Sequence, residues 1–511
     1  MAVIFDVFIS VFPRRFVVFY FGYKWNFNEI FYIYGTNYKN GINNIYFVCF
    51  EWKNFQFKRL VFDYFVDFFG DNGYNLYRNI QTTFQVEKRR LSCMERTILH
   101  VDLNNFFASV ECKYRPELKD GFMAVCGSVS DRHGIVLAKN QKAKLMGVKT
   151  GMTIKEAEKL CPEIVFVEAH HDRYIEWSKK VKKLYTEYTD KIESFGIDEA
   201  WLDVTESLNL FGSGKTIADS IRERVKKEFD LTVSVGVSFN KVFAKLGSDL
   251  KKPDGTTVIT RLNYKNLVWK LPVNDLLFVG RSTLSKLNRI GINTIGDLAQ
   301  TDLNYLIKYL GKWGEVLWAY ANGKDESPVL KEDESEDIKS VGNSITCYRD
   351  LTDEEDVKIM FSSLCDTVSE RVRNYSVGKA SSLSISIRDG SLVWYTRQAK
   401  LNRPSVLADD FFEKAMELFR LNFKWESSIR SLGVAVFDFV EQEQLSITTQ
   451  SEDYDKKLKL LETVGDIKKK YGNDIVRRGI AYKDKRLTKE GEGHGSSLPT
   501  SHKLTDVDSN E

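Results

Sequence analysis

The sequence lacks the patterns that mark zinc-bound, disulfide-stabilised or membrane proteins. Its seven cysteines form no Cys-x-x-Cys pair, and its six histidines do not cluster around them at ligand spacing. A zinc site or a disulfide framework is therefore not expected, and reduced thiols fit a cytoplasmic protein. No apolar run approaches the roughly 18 residues that a bilayer span requires, because charged residues interrupt the longest ones. We therefore expect no membrane partner.

The sequence also has little net charge. Lys and Arg number 74 against 71 Asp and Glu, which leaves a formal charge of +3. Net charge therefore gives no argument for nucleic acid as a partner. A hydrophobic fraction of 43% with 28% charged residues excludes a disordered or fibrous chain. The length of 511 residues predicts roughly three or four domains.

Aromatic residues are abundant but unevenly spread. Residues 1–93 hold 28 of the 66 Phe, Trp and Tyr residues and show no sustained hydrophobic period. At Met94 the composition changes to that of an ordinary globular protein. We expect translation to start normally at Met94, with residues 1–93 a non-native or poorly ordered extension. The alternative is a genuine aromatic appendage, which mass determination of the native N-terminus distinguishes.

From Met94 onward the pattern predicts an α/β and α+β multidomain chain. Apolar strands alternate with helical patterns up to about Thr260, and residues 261–323 are typical of short helices joined by glycine turns. Residues 324–340 are acidic and indicate a solvated linker, and residues 341–441 predict a small α+β domain. Residues 442–511 form a tail whose glycine- and serine-rich part after Lys483 is predicted to be disordered.

Three carboxylates are candidates for the chemistry. Asp102 ends an apolar strand, and Asp198 and Glu199 interrupt an apolar alternation. Each has an ordinary explanation, since Asp102 could cap the following helix and an Asp-Glu pair is often a solvated turn. Pressed against apolar neighbours, however, such acids require a compensating cation. Carboxylates without His or Cys suit Mg²⁺ bound together with phosphates, which indicates phosphoryl transfer.

Three ordered motifs resemble the Y-family of translesion DNA polymerases, in the bacterial DNA polymerase IV branch. They are Asp102-Leu-Asn-Asn-Phe-Phe-Ala-Ser-Val-Glu111, Gly196-Ile-Asp-Glu-Ala-Trp-Leu-Asp203 and the segment from Ser234 to Pro253. The resemblance runs from about Thr97 to Val440. It implies a right-hand polymerase with a palm at 94–113 and 171–260, fingers at 114–170, a helical thumb at 261–323 and a C-terminal little-finger domain at 341–441.

The resemblance also implies roles for individual residues. Asp102, Asp198 and Glu199 would bind two Mg²⁺ ions, with Glu199 completing the catalytic cluster and the Leu103 carbonyl as a further ligand. Phe107 would be the steric gate against ribonucleotides. On a helix, Phe106 and Phe107 lie about 100° apart, so one can enter the core while the other lines the nucleotide pocket. Lys252 would contact the incoming triphosphate, although it could instead be a solvated loop lysine.

Two departures from the family pattern concern the nucleotide pocket. Asn104 stands where an acid is common. In the fingers, Asn140-Gln141-Lys142-Ala143-Lys144 replaces a segment that often has a Tyr and an Arg over the triphosphate. Gln141 and Lys144 can supply a donor and a charge, but lysine lacks the bidentate guanidinium fork. Nucleotide affinity is therefore in question.

DNA contacts are expected outside the palm. A helix-hairpin-helix with Gly280, Arg281 and Gly291 would offer backbone donors to phosphates, although an ordinary helical hairpin has the same pattern. The strand region Lys379–Arg403 is locally basic and includes Arg388, Arg397 and Lys400. Gln444, Leu445 and Ile447 resemble a peptide that binds the sliding clamp, although such short matches arise by chance.

The sequence therefore predicts a low-fidelity, template-directed DNA polymerase that lacks proofreading and acts in translesion synthesis. Its partners would be primer-template DNA, deoxynucleoside triphosphates and the sliding clamp, and it would act as a monomer. The alternative is a catalytically silent DNA-binding scaffold, which would have no reason to keep all three carboxylates. A palm-type nucleotide cyclase would explain the carboxylates but not the thumb and little finger.

Overall fold

The computed structural model describes four strands near the N-terminus and residues 95–127, 134–331, 334, 338–440, 451–472, 475–484 and 486–487. Residues up to Met94 form one compact unit, and the chain from Glu95 onward forms another. The first unit contains an antiparallel sheet with the strands in chain order: β1 (Asp6–Phe12), β2 (Phe16–Gly22), β3 (Tyr32–Tyr38) and β4 (Gly41–Val48). These strands show no alternating hydrophobic pattern, because apolar residues occupy both sets of positions along them.

The second unit begins with alternating strands and helices, as the pattern predicts. The first elements are β5 (Ile98–Leu103), α1 (Phe106–Tyr114), β6 (Met123–Cys126), β7 (Val136–Lys139), α2 (Gln141–Leu145), α3 (Ile154–Leu160) and β8 (Val165–Glu168). They are followed by α4 (His171–Tyr185), β9 (Ile192–Ser194), β10 (Glu199–Asp203), α5 (Leu208–Phe211), α6 (Gly214–Phe229), β11 (Val233–Ser238), α7 (Lys241–Leu250) and β12 (Thr256–Val258).

The palm is built on a five-stranded sheet in the order β12-β11-β5-β10-β9. Its central strands β5 and β11 are buried at every position. Gly236 in β11 allows α7 to approach the sheet closely, since a Cβ at this position would lie 1.9 Å from the carbonyl oxygen of Ala244. The fold therefore holds α7 directly against the strands that carry the acids.

The fingers contain a separate three-stranded sheet in the order β7-β6-β8. A small core of its own, which includes Val136, Ala143 and Ala157, packs α2 and α3 against this sheet. Asn140 caps α2 through its side chain, which accepts a hydrogen bond from the backbone of Ala143. This cap fixes the point at which β7 passes into α2.

The thumb segment contains helices and no strand among the residues that the structure describes between 261 and 323. They are α8 (Tyr264–Val268), α9 (Arg281–Arg289), α10 (Ile295–Gln300), α11 (Leu303–Leu310) and α12 (Lys312–Ala321). A capping box between Thr294 and Asp297 starts α10. The prediction of short helices joined by glycine turns agrees with this arrangement.

The segment predicted to be a solvated linker lies against the palm over its first part. Val329 is only 5% exposed and packs with Trp201 and Ala244. The backbone amide of Leu330 donates a 3.0 Å hydrogen bond to Glu193, and Lys331 forms an ion pair with Asp190. Only part of the linker is held in this way, since Lys324, Ser327 and Pro328 are exposed, as expected.

The little finger is an α+β domain, as the sequence predicts. Its elements are β13 (Ser340–Leu351), α13 (Glu354–Asn374), β14 (Lys379–Asp389), β15 (Trp394–Ser405), α14 (Ala408–Asn422) and β16 (Ile429–Val440). The strands form an antiparallel sheet in the order β13-β16-β14-β15. Leu383, Ile385 and Ile387 alternate into the core shared with the two helices, while the intervening serines occupy the other face.

Part of the predicted tail belongs to the little finger. The next element after β16 is the helix α15 (Ser451–Tyr471). Later in the chain, Arg478 forms ion pairs with Asp366 and Asp409 of the little finger. Leu487 is 3% exposed and joins the little-finger core, so core residues continue past Lys483. The glycine- and serine-rich run itself lies outside the described residues. Among the described residues, no helix is long and apolar enough to cross a membrane.

Candidate active site

Strand pairing brings the three predicted carboxylates to one place. Asp102 at the end of β5 lies opposite Glu199 at the start of β10. Asp198 immediately precedes β10, and its carbonyl accepts a 3.0 Å hydrogen bond from the amide of Leu103. All three carboxylates line a cavity of about 410 Å³ between palm and fingers. The antiparallel register of two central strands thus builds the acidic cluster.

The three acids lie close together in a buried site, so ionising all of them is unfavourable. Burial raises the pKa of Asp102 to about 7, with Glu199 adding to the rise and Lys252 opposing it. Burial and the neighbouring Glu199 also raise the pKa of Asp198. Burial opposes ionisation of Glu199 too, but hydrogen bonding to His100 and the charge of Lys245 lower its pKa well below the usual range. The site therefore favours bound cations.

Two lysines provide positive charge among the carboxylates in this structure. Lys252 Nζ lies 2.7 Å from Asp102 Oδ2 and 2.8 Å from Asp249 Oδ1. Lys245 Nζ lies 2.9 Å from Glu199 Oε2 and 3.5 Å from Asp102 Oδ2. In the described part of the chain, no three His, Cys, Asp or Glu side chains are arranged as a ready metal site.

The donor set nevertheless fits a divalent metal. It consists of hard carboxylate oxygens that are buried enough to need a cation, and no His or Cys sulfur lies in the cavity lining. The two ammonium groups already satisfy that need in this structure. Binding a metal therefore requires Lys252 and Lys245 to release part of their contact with Asp102 and Glu199.

His100 and Lys245 are site residues that sequence reasoning missed. His100 is fully buried, its Nδ1 lies 2.9 Å from Ser248 Oγ, and its Nε2 lies 3.3 Å from Glu199 Oε2. Burial, outweighing the hydrogen bond to Glu199, lowers the pKa of His100 to about 4. The alternation of β5 places His100 on the same face as Asp102, which was a usable signal. The contacts of Lys245 depend on how α7 packs.

Asn104 ties two strands together. Its side chain accepts a 2.9 Å hydrogen bond from Ser234 Oγ and donates a 3.2 Å bond to Thr232 Oγ1. The residue that replaces a common family acid therefore has its polar atoms occupied by β11 and the residue before it.

The two phenylalanines of α1 take different positions. Phe106 is 3% exposed, whereas Phe107 is half-buried, and both contribute to the cavity wall. The Phe107 ring stacks on Tyr174 with a centroid distance of 4.1 Å and an interplanar angle of 11°. Tyr174 in turn donates a 2.8 Å hydrogen bond to the buried carboxylate of Glu111. Phe106 is thus the more deeply buried of the two, but both rings line the cavity, so the expected division between core and pocket is only partial.

The remaining predicted nucleotide contacts also face this cavity. Gln141 and Lys144 from α2 line it from the fingers side, and Lys252 lines it from the palm. The structure thus brings together all the residues that the sequence predicted for metal and nucleotide binding.

The predicted helix-hairpin-helix residues surround α9. Gly280 is the N-cap of this helix, Arg281 is its first residue, and Gly291 follows it with φ +81°. Phe278, just before the hairpin, has φ +67° and is 53% exposed. A non-glycine residue in the left-handed region is strained.

The basic strip of the little finger is divided between two faces. Arg388 pairs with Trp394 and Lys400 pairs with Ser382, which places both basic residues on the sheet face away from the helices. Arg397 pairs with the core residue Ile385 on the other face and donates a hydrogen bond to Asn422 at the end of α14. Arg388 and Lys400 therefore share a face, and Arg397 lies on the other one. The clamp-binding residues Gln444, Leu445 and Ile447 lie outside the described residues.

Three family models match the chain. Residues 101–249 match the impB/mucB/samB family, residues 338–449 match the C-terminal domain of that family, and residues 274–325 match the thumb domain of DNA polymerase-iota. The matched segments coincide with the palm and fingers, the little finger and the thumb.

Several curated proteins are similar over most of their length. DNA polymerase IV of Acetivibrio thermocellus is 51% identical over 399 residues, covering 78% of this chain and all of the relative. DNA polymerase IV 1 of Bacillus subtilis is 36% identical over 400 residues, covering 78% of this chain and 95% of the relative.

A solved structure supports the same assignment. The Y-family DNA polymerase chimera Dbh-Dpo4(243-245)-Dbh is 26% identical, covers 68% of this chain and all of its own, and superposes with a TM-score of 0.61. The predicted right-hand polymerase fold is confirmed by this similarity. The chain belongs to the Y-family of translesion DNA polymerases, in the DNA polymerase IV branch.

Proposed function

We propose that this chain is a low-fidelity, template-directed DNA polymerase that extends primers past damaged bases. One observation carries the proposal: the paired strands place Asp102, Asp198 and Glu199 in the same cavity as Phe107 and Lys252. Acids for a metal, a basic group for a triphosphate and an aromatic ring beside them are the parts that nucleotidyl transfer needs. A scaffold would not require this cluster, and the names of the relatives favour the polymerase.

Membership of this family implies dependence on a divalent metal. We assign Asp102, Asp198, Glu199 and the Leu103 carbonyl to two Mg²⁺ ions. When bound, Mg²⁺ would polarise the primer 3′-hydroxyl and stabilise the leaving pyrophosphate. The chain's own task is to hold the carboxylates in place, which the β5–β10 register does.

Lys252 would change partners during nucleotide binding. Its ammonium contacts Asp102 and Asp249. Burial lowers the pKa of Lys252, but these two acids outweigh burial and raise the pKa above the usual range. The group therefore stays charged. With a metal bound to Asp102, Lys252 would be available to the triphosphate, together with Gln141 and Lys144.

Contacts with DNA would come from the thumb and little finger. Gly280, Arg281 and Gly291 at the ends of α9 would meet backbone phosphates. Arg388 and Lys400 share the open sheet face and would follow a phosphate strand, whereas Arg397 would act from the helix side of that sheet or serve only to hold α14. Primer-template DNA and deoxynucleoside triphosphates are therefore the proposed partners, with the chain acting as a monomer.

A cytoplasmic location is also proposed. The five cysteines that the structure describes are free: Cys112, Cys126, Cys161, Cys347 and Cys365. Free, mostly buried thiols suit a reducing compartment.

The deciding experiment is primer extension with Mg²⁺ by the wild type and by Asp198→Ala. Loss of one buried metal ligand is expected to reduce extension at least about 100-fold. Binding of primer-template DNA, followed by fluorescence anisotropy, should stay near the wild-type value. Equal extension by both proteins, or none by the wild type, would leave the scaffold as the better function.

Clamp binding has its own test. Deleting residues 442–448 is expected to reduce the length of products made in the presence of a loaded sliding clamp. Extension without the clamp should not change, because none of the residues assigned to metal, nucleotide or DNA contacts lies in the deleted segment. Identical products from both proteins on clamp-loaded templates would refute the assignment of Gln444, Leu445 and Ile447.

A further inference from the structure

The fingers wall of the cavity carries a lysine that none of the sequence motifs singles out. Lys139 is the last residue of β7, directly before the Asn140 cap of α2. Strand alternation puts Lys139 on the same side as Leu137, and both line the cavity that contains the three carboxylates. Its backbone is held between a paired strand and a capped helix, so the position of the side chain is well defined.

Lys139 is half-buried and has a polar partner but no acidic one. Its Nζ donates a 2.9 Å hydrogen bond to Thr150 Oγ1, another cavity residue. Among the residues that the structure describes, no carboxylate forms an ion pair with Lys139 or with Lys144. Burial, and then the charge of Lys144, lower the pKa of Lys139. Two ammonium groups thus face one cavity without a counter-ion on their own wall.

The other lysines of the cavity region differ in this respect. Lys252 contacts Asp102 and Asp249, and Lys245 contacts Glu199. These two compensate the acids of the palm, whereas the pair on the fingers increases the local positive charge. Lys139 is half-buried and Lys144 is exposed, and two like charges on one wall are unfavourable unless an anion is bound there.

We propose that Lys139, oriented by Thr150, binds the terminal phosphates of the incoming nucleotide together with Lys144. This inference rests on the proposed polymerase function and adds a residue to it. It also gives the fingers a substitute for the Tyr and Arg that many family members have. Lysine cannot bind phosphate through two parallel hydrogen bonds as arginine does, but a second ammonium adds positive charge. Metal ions held by the acids, together with Lys252, would bind the palm side of the triphosphate, and the two lysines of the fingers would bind its other side.

A purely structural role makes a different prediction. If the bond from Lys139 to Thr150 only ties β7 to the segment before α3, Lys139→Ala would lower the melting temperature and leave nucleotide binding unchanged. The experiment therefore measures nucleotide dependence, DNA affinity and thermal stability on the same proteins.

The test is single-nucleotide insertion by full-length Lys139→Ala, Lys139→Arg and Thr150→Val. For Lys139→Ala, the KM for the deoxynucleotide should rise about 10-fold, since a charge-assisted contact is lost. Inhibition by added pyrophosphate should weaken by a similar factor, while primer-template affinity stays unchanged. Lys139→Arg should restore most of the affinity, and Thr150→Val should raise KM by a smaller factor.

Lys142→Ala is the matched control. Lys142 lies in α2 together with Lys144, but its ammonium donates to the backbone carbonyl of Asp120 and is not part of the cavity wall. An unchanged KM in Lys139→Ala, or an equal rise in Lys142→Ala, would overturn the inference while the wild type still extends primers. A wild type that extends no primer would instead overturn the proposed function.

Discussion

At the residue scale, the position of the Phe107 ring depends on a partner from another helix. Phe107 lies flat on Tyr174, whose hydroxyl is bound by Glu111. Glu111 is fully buried and also receives a 3.1 Å hydrogen bond from Arg173. The sequence predicted that Phe106 and Phe107 would divide between core and pocket. It could not identify Tyr174 as the stacking partner, because that contact requires α1 and α4 to pack together.

The gate assignment predicts a change in sugar selectivity. Phe107→Ala should raise incorporation of ribonucleotides relative to deoxynucleotides at least about 10-fold, because the ring that would meet the 2′-hydroxyl is removed. The measurement is the ratio of kcat/KM for the two nucleotides opposite the same template base. Phe107→Tyr keeps the ring and should keep the wild-type ratio. A Phe107→Ala enzyme that still excludes ribonucleotides would contradict the assignment.

At the element scale, the acidic cluster was predictable because it depends on the pairing of two strands. The motifs placed Asp102 at the end of one strand and Glu199 at the start of another, and the register of β5 with β10 joins them. The ion pairs of Lys245 and Lys252 were not predictable, because they depend on the approach of α7 and of the segment after it. Arg397 and Lys400 are an odd number of residues apart in β15, so strand alternation alone already places them on opposite faces.

The close approach of α7 predicts a sensitive glycine. Gly236→Ala would place a Cβ 1.9 Å from the carbonyl oxygen of Ala244 and 2.5 Å from the amide nitrogen of Ser248, so α7 must move. We expect a loss of about 3 kcal/mol of unfolding free energy, since the clash is with backbone. Denaturant unfolding measures this change.

Gly127→Ala is the control for that substitution. A Cβ at Gly127 would meet no atom within 4 Å, and its φ is not in the left-handed region. Its stability should stay within about 0.5 kcal/mol of the wild type. Equal stability of the two variants would mean that the palm does not require the short distance between β11 and α7.

At the scale of the whole molecule, two polar segments have partners in the fold that their composition did not predict. They are residues 324–331 of the linker and the described residues beyond Tyr471. Their charges are matched by groups elsewhere in the fold: Glu193 accepts from the amide of Leu330, and Arg349 of the little finger forms an ion pair with Asp484. These partners are far apart in the sequence, so local composition does not predict the contacts.

The packing of the tail predicts that the little finger depends on it. Ending the chain after residue 450 removes α15, the ion pairs of Arg478 and the buried side chain of Leu487. The surface ion pairs contribute little, but uncovering the apolar core around Leu487 should cost about 2 kcal/mol and lower the melting temperature of this domain by at least about 5 °C. Ending the chain after residue 487 keeps these contacts and should leave the melting temperature unchanged.

Hydrogen exchange followed by mass spectrometry locates the effect of these truncations. With the chain ended after residue 450, amides of α13 and β13 should exchange faster, because Arg478 contacts Asp366 of α13 and Asp484 contacts Arg349 of β13. Amides of β5 and β11 in the palm should keep their wild-type rates. Leu487→Ala separates the core contact from the ion pairs and should reproduce a large share of the change. If both truncated chains melt and exchange like the full-length protein, the tail is an appendage and the little finger ends at β16.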